Sequence, residues 1–295
     1  MSHVHNHRAS TSISGWINGF IGVAIFSGSL PATRIAVQEF DPFFLTFCRG
    51  AIAGVLALGL IWLLRLPRPQ AGQWRSLALV AGGVVIGFPL LTALALQRVT
   101  SAHSIVFIGL LPLATAIFAV IRGGERPRPA FWGFSLLGSI LVASFALAGN
   151  TGMSISGDLL MLAAVVVCGL GYAEGARLTR ELGGLAVICW ALLLSLPLMV
   201  LACGLTLPVS FRGISASAWT ALAYVSLFSM LIGFIFWYRG LAIGGIAAVG
   251  QLQLLQPFFG LALAALLLHE SVSPLMVAVT LGIIFCVIGS KRFAR

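Results

Sequence analysis

Pro112, Glu125 and Pro129 recur 145 residues further on as Pro257, Glu270 and Pro274, each trio set in the same succession of apolar run, short polar break and apolar run. The chain reads as a tandem duplication, and each copy holds five apolar segments of membrane length. A hydrocarbon core about 30 Å thick takes about 20 helical residues per crossing. Such segments fall near 16–34, 43–64, 76–97, 101–121, 130–148, 157–177, 184–206, 216–238, 245–268 and 273–290. An odd number of crossings per copy predicts that the second copy enters the membrane upside down relative to the first.

With 60% hydrophobic residues, 8% charged residues and a mean hydropathy of +1.08, the chain has too little polar surface to face water all round. Long unalternating runs of Leu, Ala, Val and Ile favour helices over the period-two pattern of a membrane barrel. The expected fold is an all-α membrane protein: ten transmembrane helices in two inverted five-helix repeats around a central cavity. The expected divisions are a cytoplasmic tail at 1–14, a first repeat at 15–149, an inverted second repeat at 150–290 and a cytoplasmic tail at 291–295. Inverted halves around a midplane site are an architecture for moving solutes.

The formal charge of +10 would suggest nucleic acid in a soluble protein, but here it tracks topology. With a cytoplasmic N-terminus, inside segments carry thirteen of the seventeen Lys and Arg residues, outside segments carry Arg34, Arg98 and Arg212, and Arg49 lies within a span. That bias predicts both termini on the cytoplasmic side of the membrane. It removes any need for a nucleic-acid partner. Cys48, Cys168, Cys189, Cys203 and Cys286 sit in apolar runs without CxxC spacing and read as packing residues. Met1 to Ser14 lacks the apolar core of a cleaved signal peptide, so the first span is expected to remain. His3, His5 and His7 alternate in that tail; metal binding and a disordered polar tail are both open, and the plain tail is the simpler reading. No cofactor is expected.

Ala95-Leu96 through Ser101-Ala102, then Pro112, Glu125 and Pro129, then Gly133 and Gly138, form a register answered by Leu241-Ala242, Ala247, Pro257, Glu270, Pro274 and Gly282. Over residues 15–290 this register resembles the repeat of the EamA division of the drug/metabolite transporter superfamily. Within it the chain looks most like the YddG-type exporters of aromatic amino acids, by length, short N-terminal tail and general run of sequence. That resemblance implies a ten-helix basket with both ends cytoplasmic. It also implies export of aromatic and other neutral amino acids across the bacterial inner membrane.

Midspan prolines remove a backbone donor and clash with the preceding turn, so Pro31, Pro89, Pro112, Pro197 and Pro257 are expected to kink their helices. Pro112 and Pro257 correspond between copies and mark a pathway, whereas Pro197 alone reads as an ordinary membrane proline. Gln251, Gln253 and Gln256 precede Pro257 in a segment otherwise made of Leu, Phe and Ala. Gln253 and Gln256 share a helix face and can meet both charged ends of a zwitterion, or equally join helix to helix. His103 and Phe107, four apart, lead toward Pro112 on one face, where the histidine can orient a carboxylate or be satisfied by water or backbone. Tyr224, Phe228 and Tyr172 are candidates to stack on an aromatic substrate. Trp237 and Tyr238 sit beside Arg239, and with Trp16, Trp62, Trp74 and Trp132 suit an interfacial belt.

Charged groups within spans are costly. Glu174 and Arg177, three apart, read as an ion pair, with a gate or coupling site as the alternative. Arg49 is expected to snorkel or to pair with Asp41 or Glu39. Glu125 and Glu270 are expected to fasten each turn to the next helix rather than to bind substrate.

A proton-driven drug exporter needs a membrane carboxylate, and the run Trp16 to Pro31 has none. A sugar-phosphate carrier calls for converging basic groups, and the one lysine is Lys291. A polytopic membrane enzyme needs a catalytic constellation, and no HExxH, paired-Asp or GxSxG motif is present. A scaffold gives no reason for duplicated, proline-broken spans. The expected partners are therefore a small amino-acid-like substrate and the lipid bilayer. The expected cavity walls are spans 1, 3, 4, 6, 8 and 9, with spans 5 and 10 left for packing in a monomer or weak dimer.

Overall fold

The computed structural model describes residues 2–123, 128–148, 154–244 and 249–292, and among them the regular structure is helical throughout. The first helix, α1, runs over Ser2–Ser27 and continues after Gly28 as Ser29–Val37. It is followed by α2 (Pro42–Leu64), α3 (Ala71–Leu96), α4 (Ser101–Ile108 and Leu111–Gly123) and α5 (Pro129–Ala148). The second half holds α6 (Ile155–Leu182), α7 (Gly184–Leu205), α8 (216–244), α9 (Gly250–Leu255 and Gln256–Leu268) and α10 (Pro274–Arg292). Over the described residues each expected segment overlaps a helical stretch. Among the described residues six stretches, in α1, α2, α3, α6, α7 and α8, are long and apolar enough to cross a membrane. Residues 2–14, expected as a disordered tail, continue the helix of α1. The side chains of His3, His5, His7 and Gln251, and the whole of Glu125 and Ala247, lie outside the described residues.

Helix ends follow the local chemistry. Asp41 opens α2 by accepting from the Phe43 and Phe44 amides at 2.9 and 3.1 Å, with Pro42 as the first helical residue. Thr100, Ser154 and Ser215 cap α4, α6 and α8 through hydroxyl groups that each accept from the amide three residues on at 3.2 Å. Gly183, at φ +82°, turns the chain from α6 into α7 in a backbone region that favours glycine.

Small residues set how closely helices approach, because packing rather than hydrophobic burial drives association in lipid. A Cβ at Gly240 in α8 would sit 2.6 Å from the Gly19 amide nitrogen in α1, and one at Gly83 in α3 would sit 2.4 Å from the Val167 carbonyl oxygen in α6. Gly169 likewise lets α6 approach Ala114 in α4, where a Cβ would sit 2.8 Å from the Ala114 Cβ. On the periphery α10 packs on α5, with Phe134 and Phe285 edge to face at 5.9 Å. Trp62, Leu63, Leu201 and Leu205 project outward, as a lipid-facing surface requires.

Trp237 and Tyr238, expected in an interfacial belt, are instead buried in the core at 1% and 0% exposure. Gly175 makes room for the Tyr238 ring, and Gly184 for the Tyr238 backbone. Trp16, Trp62, Trp74 and Trp132 are exposed.

A candidate substrate cavity between the two halves

Four of the five midspan prolines stand directly after a break in regular helix. The first piece of α1 ends before Gly28, three residues short of Pro31. The break in α4 falls at Gly109–Leu110, just before Pro112. A 3-10 turn over Gly250–Leu255 precedes Pro257, and a π segment over Ala81–Gly87 precedes Pro89. The physical cause is common: a proline has no amide to offer the carbonyl four residues back, so the turn before it loosens or tightens. Pro197 lies inside unbroken α7 with an exposed side chain.

Sequence reasoning missed a second π segment, Val225–Ile232 in α8, where the Gly233 amide bonds the Phe228 carbonyl five residues back. It matches Ala81–Gly87 at the 145-residue offset of the repeat. The position corresponding to Pro89 is Phe234, so no proline announced it.

These irregular turns converge on a narrow central cavity. Phe26 and Ser29 of α1, Arg49 of α2, Val84, Phe88 and Pro89 of α3 and Leu111 of α4 line it from the first half. Tyr172 of α6, Ser229, Met230 and Phe234 of α8 and Gln256 of α9 line it from the second. Its free space is that of about one or two waters. All six helices expected around the cavity contribute, and α2 joins them through Arg49.

The polar wall is a short chain of contacts across the halves. The Ser29 and Ser229 hydroxyl oxygens lie 2.7 Å apart, and Arg49 donates from Nη2 to the Ser229 hydroxyl at 3.3 Å. Gln256 is 8% exposed, and its Oε1 has no partner among the described residues. The aromatic wall is Phe26, Phe88, Tyr172 and Phe234, with Tyr172 edge-on to Phe234 at 6.0 Å and tilted on Trp237 at 6.3 Å.

Arg49 thus departs from expectation. It neither snorkels nor pairs with Asp41 or Glu39, because Asp41 caps α2 and Glu39 accepts from the Ser215 amide at 2.6 Å and from its hydroxyl. Arg49 is 5% exposed and borders the cavity.

The other candidates lie elsewhere. Gln253 is buried one turn away, with Nε2 unpartnered among the described residues, and does not line the cavity. His103 Nε2 and Asp158 Oδ1 lie 2.7 Å apart, tying α4 to α6, and the His103 ring packs on buried Phe107 at 5.6 Å. Tyr224 donates to the Ile25 carbonyl at 2.6 Å, satisfying a group at the break in α1, and stacks on Phe228, which is exposed. Glu174 is buried and meets Arg177 at 3.1 Å, while Arg177 also donates to Ser76 at 2.6 Å.

Glu270 corrects another expectation. It reaches back across the duplication to the start of α4, accepting from the Ser101 amide at 3.1 Å, the Ser101 hydroxyl at 2.8 Å and the Ala102 amide at 2.7 Å. A carboxylate at a helix N-terminus meets both free amides and the positive end of the dipole. The same end of the molecule holds the His103–Asp158 pair, the Glu39–Ser215 contact and a bond from Arg34 to the Leu96 carbonyl. At the opposite end Gln73 donates to Glu181 at 2.7 Å.

The family model described as the EamA-like transporter family matches twice, over residues 13–147 and 155–290. The chain belongs to that family. As an EamA-like transporter it is similar to the protein named Uncharacterized transporter YdeK of Bacillus subtilis (strain 168), with 67% identity over 282 residues, 96% of this chain and 98% of that one. A protein of Archaeoglobus fulgidus, also named an uncharacterized transporter, is 26% identical over 83% of this chain and 86% of its own. A solved crystal structure that is 21% identical shares the fold with a TM-score of 0.63, covering 95% of this chain and 96% of that chain. The EamA-like transporter is thus a multi-pass membrane protein whose relatives are named as transporters.

Proposed function

We propose that this transporter moves small neutral or zwitterionic metabolites, aromatic and other neutral amino acids first among them, outward across a bacterial plasma membrane by alternating access. In this reading the ten helices are ten crossings in two inverted five-helix repeats, with both termini cytoplasmic. The observation that carries it is the cavity shared by both halves, with rings on one wall and hydroxyl and amide groups on the other. Supporting it, the irregular turns before Pro89 and in α8, and those before Pro112 and Pro257, stand at matching offsets and lie in or next to residues that line that cavity. Such turns change their dihedral angles at low cost, so rocking of the halves about them exposes the cavity to each side in turn. The space enclosed is too small for an amino acid and both ends are tied by hydrogen bonds, which suits a closed intermediate of such a cycle.

The test is counterflow. Purified protein in liposomes loaded with unlabelled amino acid should accumulate labelled tryptophan, phenylalanine and threonine without a pH gradient. Absence of amino-acid flux, with a cationic dye driven by a proton gradient instead, would overturn the reading in favour of drug export.

A further inference from the structure

The most exposed inconsistency in the polar wall is a positive charge without a resident counterion. Arg49 is 5% exposed, about two turns into α2, and borders the central cavity. A guanidinium offers five N–H donors in a fixed fork. Of these, one makes a bond to the Ser229 hydroxyl at 3.3 Å, and Nε has no partner among the described residues. No carboxylate among the described residues lies within salt-bridge distance. The acids nearest in sequence are engaged with Ser215 and the start of α2, Asp158 with His103 and Glu174 with Arg177. A buried charge of this kind is retained at a cost, and in a membrane protein it faces a pathway and marks what passes along it.

Its surroundings specify the missing partner. Arg49, Ser29 and Ser229 present guanidinium and hydroxyl donors at one place on the cavity wall, a geometry suited to a planar carboxylate held by two parallel bonds. Gln256 presents an unpartnered amide oxygen to the same cavity, an acceptor for an ammonium group. Tyr172 lines the same cavity.

We propose that Arg49 is the anchor for a carboxylate on the transported molecule, with Ser229 as its second donor, so that the cargo is a monocarboxylate, with or without an amino group. This deepens the proposed function and rests on the central cavity being the substrate site. It separates the cargo from cationic drugs, which Arg49 repels, and from polyanions, whose further charges find no second buried cation among the described residues lining the cavity.

The experiment combines a binding readout independent of transport with a flux readout. Thermal stability of the purified wild type and of Arg49→Gln and Arg49→Lys is measured with three matched probes: phenylpropionate, phenylpropionamide and phenethylamine. Wild type should be stabilised by the carboxylate alone. Arg49→Gln should lose that response while its unliganded stability is unchanged or raised, because an unpaired buried charge has been removed. Arg49→Lys should keep part of it. In counterflow, tryptophan should exchange at least tenfold faster than tryptamine in wild type, and Arg49→Gln should abolish tryptophan exchange. Equal carboxylate stabilisation of wild type and Arg49→Gln overturns the inference, as does equal transport of tryptophan and tryptamine. Should Arg49→Gln fail to fold, Arg49→Lys with a response identical to wild type for all three probes overturns it as well. Loss of amino-acid flux in wild type, with an Arg49-dependent carboxylate response intact, sinks the amino-acid assignment and sustains the anchor.

Discussion

Ser29 and Ser229, 200 residues apart and on opposite halves of the duplication, hold their hydroxyl oxygens 2.7 Å from each other beside the central cavity. The contact exists because α1 breaks at Gly28 and α8 carries a π segment, so each helix turns a short hydroxyl inward at the same depth. It is also the shelf on which Arg49 rests.

A double-mutant cycle on Ser29→Ala and Ser229→Ala should therefore give a coupling of about 0.5–1.5 kcal/mol, the usual worth of a single bond. Ser229→Ala should cost more than Ser29→Ala, because it also strips Arg49 of its hydroxyl partner. Thermal unfolding in detergent measures both, and additive single effects would mean the two hydroxyls do not interact.

Glycine at position 240 is required by contact with backbone, which cannot swing aside. Gly240→Ala is expected to cost about 1–3 kcal/mol and to lower folded yield, since its Cβ would stand 2.6 Å from the Gly19 nitrogen. Gly59→Ala in α2 has open space around it and should be neutral or stabilise slightly, by up to about 1 kcal/mol. Equal behaviour of the two variants by fluorescence-detected gel filtration would contradict the packing argument.

Glu270 binds three donors at the start of α4 with two oxygens. Glu270→Gln keeps the shape but turns one oxygen into a donor facing donors, so a loss of about 1–3 kcal/mol is expected. Ser101→Ala removes only the hydroxyl contact and should cost less. The comparison is read as midpoint shifts in the same unfolding assay.

Outside the membrane segments, Glu39 gives a pH signature. Hydrogen bonds from the Ser215 hydroxyl, and next from its amide, hold the Glu39 carboxyl below the usual carboxylate range. A pKa lower in the folded than in the unfolded state stabilises above the unfolded value, near pH 4.3, and that stabilisation disappears as pH falls through the folded value. The stability gap between wild type and Glu39→Gln should thus be open at pH 7 and close in acid below about pH 4. A gap independent of pH would remove the charge from the explanation.

Gln256→Ala should cut amino-acid counterflow at least tenfold, equivalent to about 1.4 kcal/mol or more, while leaving folded yield largely intact. Cysteines introduced singly at Gln256 and Ser104 test the accompanying motion through labelling that changes with substrate. Unchanged flux in Gln256→Ala would move the site away from α9.

The helices, the matching breaks and the family were legible because they are local. Apolar run length, prolines and capping residues act within a few turns, and a register repeated at 145 residues needs no contact map. The site was legible only in part. Tyr172 and Gln256 line the cavity, yet Tyr224 is taken up by the Ile25 carbonyl, and His103 lies against Asp158. Helical spacing puts Tyr224 and Phe228 on one face but does not say which neighbour that face meets. The π segment in α8 had no proline to announce it, because Phe234 stands where the first copy has Pro89.

By itself the sequence determined a helical, duplicated membrane protein of the EamA-like family. The helices, the duplication and the membrane setting follow from composition, run length and periodicity in one dimension, and the family from a register of particular residues that resembles its repeat. Only the tertiary structure decided that Glu270 clasps α4 across the duplication, that Trp237 and Tyr238 are core residues, and that Arg49 turns to the cavity rather than to Glu39 or Asp41. The reason is competition: each acid near Arg49 in sequence had a nearer amide or hydroxyl to satisfy once the helices packed, which left the guanidinium to the cavity.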